Sequence, residues 1–141
     1  MSRSRGRLER LLSEELGACC DDDVDRRLDA LSDLESTALP ADVAGHVTAL
    51  SALASETRYR IARLLAAAEG ELCVCELSPL LPVSASAISH ALADLREAGL
   101  IERRKEGRWR YYRTTARTEA VLDALDTTDG TGVTVAEARD D

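Results

Sequence analysis

Four cysteines carry the first chemistry visible in this chain, and they come as two tight pairs, Cys19-Cys20 and Cys73 with Cys75 in "ELCVCELSPLL". Thiolates are the preferred ligands of soft, thiophilic ions such as As(III), Sb(III), Cd(II), Pb(II) and Cu(I). In a chain read as intracellular, paired thiols point to metal binding or redox chemistry before structural disulfides. The plain alternative is small apolar filler, a role this chain otherwise gives to alanine.

Spacing limits what Cys73 and Cys75 can do together. On a regular helix of about 3.6 residues per turn, positions two apart point about 200° away from each other. Either the first turn is unwound around Leu72-Cys73, or only one of the two thiols is an essential ligand. Further sulfurs can come only from Cys19 and Cys20. Three suit pyramidal As(III) or Sb(III), and four suit Cd(II) or Pb(II). A disulfide within Cys19-Cys20, or from Cys73 to that pair, would instead make a redox switch.

A second constellation is basic. The chain carries a formal charge of -8, yet residues 101–113, "IERRKEGRWRYYR", are rich in cations. Arg103, Arg104, Lys105, Arg108 and Arg110 are candidates for phosphate or minor-groove contact. Ser84, Ser86 and Ser89, with His90 alongside, lie near the start of an amphipathic helix pattern. Hydroxyls suit phosphate and base-edge contacts, and Ala85 and Ala87 allow close approach. An acidic average does not exclude DNA, because only the binding face need be positive. The acid-rich, Ala-rich surface with a single lysine is that expected of a protein kept soluble in brine.

These residues need elements to hold them. Residues 1–38 read as a helical arm carrying Cys19-Cys20, with Leu8, Leu11, Leu12 and Leu16 on one stripe and Val24, Leu28, Leu31 and Leu34 on the next. Pro40 marks a break, and residues 39–127 form the main domain. A helix over 41–54 precedes one capped by Ser55, with Ile61, Leu64 and Leu65 inward. The segment bearing Cys73 and Cys75 predicts a short helix stopped near Ser78-Pro79. Ser84 caps the next helix, Ile88, Leu92 and Leu95 are its inward stripe, and Gly99 ends it. "LIERRK" and "RWRYYRTT" predict a hairpin turning at Glu106-Gly107, with Trp109, Tyr111 and Tyr112 packed on the core. A last helix presents Ala120, Val121 and Leu125, and residues 128–141 read as a flexible acidic tail. The fold class is mainly α with a small β-hairpin. No apolar run is long enough to cross a bilayer and the N-terminus lacks a signal-peptide centre, so a soluble, cytoplasmic location is expected. No Ser/His/Asp or Cys/His set is recognisable, so an enzyme is not expected.

The segments "LASETRYRIARLLA", "ELCVCEL" and "SASAISHALADLREAGLIERRKEGRWRYYR" together resemble the ArsR/SmtB family of metal-responsive repressors over about residues 43–125. With the acidic composition, the resemblance is to the arsenite-responsive type of a halophilic archaeon. It implies a dimeric winged helix-turn-helix, with Ser84, Ser86, Ala87, Ser89 and His90 at the major groove of operator DNA. It also implies a homodimer formed by the first and last helices of the core. The inducer would be As(III) or Sb(III) held by Cys73 and Cys75, or Cd(II) or Pb(II) once Cys19 and Cys20 are added, with no permanent cofactor. Family members commonly place a histidine where this chain has Ala91, with His90 one place earlier. The family's zinc site on the last helix needs histidine, which "TEAVLDALDTTD" lacks.

Overall fold

Local signals in the sequence set most element boundaries. The computed structural model describes residues 2–17 and 21–128, with the element order α1 (Ser2–Leu16), α2 (Asp21–Ala38), α3 (Val43–Leu53), α4 (Glu56–Ala67) and α5 (Val74–Leu77). A 3-10 turn (Ser78–Leu80), α6 (Ala85–Glu97), β1 (Ile101–Glu106), β2 (Trp109–Thr114) and α7 (Ala116–Thr127) follow. Contacts divide the chain into two units, 1–43 and 44–141.

In the first unit, Asp21, Asp22 and Asp23 fill the first turn of α2, where carboxylates meet the positive end of the helix dipole. Leu12 and Val24 are buried, and Arg5 of α1 donates to Asp25 of α2 at 3.0 Å. Leu11, Leu16, Leu28 and Leu34 of the predicted stripes are exposed.

The second unit is built on caps and aliphatic stripes. Ser55 Oγ accepts the Arg58 N–H at 3.4 Å, and Ser84 Oγ accepts the Ala87 N–H at 3.0 Å. Gly99 (φ 76°) ends α6 in a Schellman closure: Leu100 N–H reaches Leu95 C=O and Gly99 N–H reaches Arg96 C=O, both at 3.0 Å. Ile61 and Leu65 of α4 meet Leu77, Ile88, Leu92 and Leu95 in one core. Each such side chain contributes about 1.5–3 kcal/mol through burial. Leu100, Ile101 and Tyr112 extend this core under the hairpin. Thr118 of α7, itself buried, donates to Leu100 C=O at 2.6 Å and ties the last helix to the start of β1.

Three details differ from the sequence reading. The hairpin register pairs Glu106 with Trp109, so the turn is Gly107-Arg108 and not Glu106-Gly107; Gly107 takes the positive φ (62°) a two-residue turn requires. That register puts Tyr112 on the core face and Tyr111 on the other; Trp109, expected on the core, is half exposed at 51%. As expected, the short helix stops before Ser78-Pro79, and a 3-10 turn beginning at Ser78 takes up Pro79, where its missing N–H is not needed. In α7 the inward residues are Thr118 and Leu122, which leaves Leu125 exposed and Val121 half-buried.

Candidate functional site

Cys73 is not helical. Its φ of -100° and ψ of 172° are extended, and it caps α5. Its N–H donates to Glu76 Oε1 at 3.0 Å, and its carbonyl accepts the N–H groups of Glu76 and Leu77, both at 3.1 Å. Glu76 thus sits at N3 as in a capping box, with cysteine where serine is usual. The consequence answers the spacing problem: an extended Cys73 turns its side chain toward Cys75 in the first helical turn. Their Cα atoms are 5.4 Å apart and their sulfurs lie in disulfide contact. Cys73 is buried and Cys75 is exposed, so the pair opens to solvent on one side.

The residue before the pair is built into the wing. Leu72 and Tyr112 form an isolated antiparallel bridge, so the residue immediately before Cys73 is bonded to β2. Among the described residues no group of three or more His, Cys, Asp or Glu side chains is poised to hold a metal ion. Cys19 and Cys20, expected as the further thiols, lie outside the described residues.

The predicted DNA-contacting residues separate into two kinds. On α6, Ser86, Ser89 and His90 are exposed, Ala87 is half-buried, and Ser84 is exposed while serving as the cap. They occupy the outer side of a helix whose inner side is Ile88, Ala91, Leu92 and Leu95. On the hairpin, Arg103 is half-buried and Lys105, Arg108 and Arg110 are exposed. None of these four has an ion-pair partner among the described residues. Arg104 projects from the opposite face of β1. It pairs with Glu71 at 2.8 Å and Glu106 at 3.4 Å and lies 5.0 Å over the Tyr111 ring. The hydrogen bond to Glu71, more than any other contact, pushes its pKa above the ordinary arginine value. Arg113 is likewise paired, with Glu102.

A cleft of about 370 Å³ separates α6 from the hairpin. Cys73 and Val74 form part of its wall, Ser89 and Arg96 come from α6, and Arg103, Arg108 and Arg110 come from the hairpin. Cys73 and the basic face therefore share one concavity, and Cys75 is not part of its lining. Sequence reasoning missed Arg96, although its seven-residue spacing from Ser89 places both on one helical face. It also missed Arg58, whose Nε donates to Ala52 C=O at 2.7 Å while its guanidinium meets Asp94 at 3.5 Å, joining α3, α4 and α6.

The chain is similar in sequence and fold to known proteins. Residues 55–103 match the family described as bacterial regulatory protein, arsR family. A Halobacterium salinarum protein named as an arsenical resistance operon repressor is 55% identical over 122 residues, covering 86% of this chain and 95% of the relative. The arsenic resistance transcriptional regulator ArsR1 of Pseudomonas putida is 49% identical over 73 residues, covering 52% of this chain and 56% of that protein. Among solved structures, HlyU from Vibrio cholerae superposes with a TM-score of 0.56 at 36% identity, covering 63% of this chain and 96% of that one.

Proposed function

Because the chain belongs to the ArsR family of winged-helix transcriptional repressors, and not to a family of enzymes, we propose that it holds its operator as a homodimer and releases it when As(III) or Sb(III) is bound by Cys73 and Cys75, with Cys19 and Cys20 as the source of further thiolates. The observation that carries this reading is the extended cap at Cys73, which brings its thiol beside that of Cys75 while Cys73 itself lines the basic cleft. Soft sulfur donors fit a thiophilic metalloid or, with four of them, Cd(II) or Pb(II).

Ser86, Ala87, Ser89 and His90 meet the major groove in this reading, and Ser84 orients their helix as its cap. Arg103, Lys105, Arg108 and Arg110 neutralise phosphates from the wing, and Arg104 acts through its contact with Glu71. Coordination at the thiols reorients Leu72, and the Leu72–Tyr112 bridge passes that change to β2. Only about 1.4 kcal/mol of coupling is needed for a tenfold loss of operator affinity. The exposed Val47 and Leu50 of α3 and Leu125 of α7 supply apolar surface for a second copy. Among the described residues no helix is long and apolar enough to cross a membrane, in keeping with action on DNA in the cytoplasm.

A second reading rests on the disulfide contact between Cys73 and Cys75, which makes oxidation an alternative input at the same place. One experiment separates the two. A gel shift on DNA upstream of the protein's own gene is run with arsenite, antimonite, Cd(II), Zn(II) and diamide in parallel. Release by arsenite or antimonite, lost in Cys73→Ser and Cys75→Ser, is the expected result; loss in Cys19→Ser as well assigns the third sulfur. Release by Cd(II) alone makes the site a four-thiolate one, and release by diamide alone selects the redox reading. Retention of the operator under every condition overturns both.

A further inference from the structure

The cleft between α6 and the hairpin holds more positive charge than a solvated wing needs. Arg96, Arg103, Arg108 and Arg110 line it, and among the described residues no carboxylate does. This chain has 26 acidic residues against 18 basic ones, and elsewhere its arginines find them: Arg58 meets Asp94, Arg60 meets Glu56, and Arg63 meets Asp126. On the hairpin itself Arg104 and Arg113 pair on the outer face. Among the described residues the four arginines of the cleft have no such partner. Like charges gathered on one concave wall repel, and a cleft lined by one sign of charge concentrates counter-ions.

We propose that this cleft is a seat for one tetrahedral oxyanion of the phosphate type. The guanidinium fork matches two oxygens of such a group, which an ammonium does not, and all four cations here are arginines. Arg103 is half-buried and reaches from the floor of β1, where its neighbour across the ladder is the buried Tyr112. Arg110 stands on the same face of β2, and Arg96 closes from the end of α6. The Ser89 hydroxyl adds a donor from the helix. The volume of about 370 Å³ accommodates a phosphate group with bound water, each water taking about 30 Å³. The ligand is free inorganic phosphate; contact of these arginines with operator phosphodiesters already belongs to the DNA-binding reading above, and the seat does not rest on it.

Trp109, the one tryptophan of the chain, also lines the cleft and reports on it. Inorganic phosphate is titrated into the full-length protein at constant ionic strength, following the Trp109 indole N–H and the arginine Nε–H resonances. Arg103→Gln and Arg110→Gln are compared with Arg117→Gln, an exposed arginine of α7 outside the cleft, after their backbone spectra have been matched to that of the parent. In parallel, operator affinity is measured against salt concentration. A saturable shift in the parent, lost in the two cleft variants and kept in Arg117→Gln, establishes the seat with free phosphate as ligand. No shift, but a salt slope lower by about one for each cleft variant and unchanged for Arg117→Gln, leaves these arginines as operator contacts only and overturns the seat. If neither quantity separates the cleft variants from Arg117→Gln, the proposal is overturned. The operator reading then still stands if the parent binds its DNA and falls if it does not.

Discussion

Leu72 and Tyr112 exchange both of their backbone hydrogen bonds: the Leu72 N–H donates to Tyr112 C=O at 3.0 Å, and the Tyr112 N–H donates to Leu72 C=O at 2.8 Å. Tyr112 is paired on its other side with Arg103. A chain of three residues therefore runs from the neighbour of Cys73 to a cation in the basic cleft. Replacing Leu72 by proline removes one of the two donors. A hydrogen bond of this kind contributes about 1 kcal/mol. The expected outcome for Leu72→Pro is a protein that still consumes arsenite at its thiols but shows about fivefold weaker coupling between arsenite and operator release. Operator affinity measured with and without arsenite, beside a thiol-titration of the same sample, checks this.

Glu76 holds Cys73 in place through the Cys73 N–H. Loss of such a cap costs about 0.5–2 kcal/mol. Glu76→Ala is expected to lower the thermal midpoint by several degrees and to weaken arsenite binding more than operator binding, because Cys73 loses its fixed extended geometry. Parallel melting curves and competition against a dithiol chelator test the two parts. Equal loss of both affinities would place Glu76 in general stability alone.

The contrast between Cys73 and Gly99 shows which features a sequence displays. The ends of α6 were legible at Ser84 and Gly99 because each acts within its own turn, and the Ile88, Leu92 and Leu95 stripe follows from periodicity. Cys73 was less so. Its extended backbone is set jointly by Glu76, three residues on, and by the bridge of its neighbour Leu72 to Tyr112 in the hairpin. The Cys-x-x-Glu spacing was a capping signal, but with cysteine at the cap it reads as a ligand motif first. The faces of the hairpin failed for a different reason. Side chains alternate along a strand, so moving the turn by one residue decides which of Trp109 and Tyr112 reaches the core. Arg96 and the unpaired state of the cleft arginines depend on distances between elements, which no local pattern carries.

Gly99 also supplies a clean stability test. A Cβ added there meets no heavy atom within 4 Å, so the space is open and only the backbone resists. An alanine forced into the left-handed region costs about 1–2 kcal/mol. Gly99→Ala is expected to lower stability by that amount in a denaturant titration, with an unchanged slope. Arsenite affinity should stay at the parent value under folding conditions, since Cys73 and Cys75 precede α6 and Gly99 follows it.

The outer surface of α3 tests the assembly. Val47 is 54% exposed and Leu50 is 60% exposed, while Ala49 and Ala52 face inward and Leu53 packs against the core, so two of the larger apolar side chains of this helix are left uncovered. That exposure is unfavourable for an isolated chain and favourable for one that pairs through α3. Val47→Glu with Leu50→Glu places two carboxylates on the surface without touching the core. Sedimentation of the double variant is expected to show a monomer with parent-like helix content, and its operator affinity is expected to fall by at least tenfold because two half-sites are no longer held together. A double variant that sediments as the parent does would remove α3 from the dimer surface. A parent that is itself monomeric at the concentrations used for operator binding would remove the dimer from the mechanism.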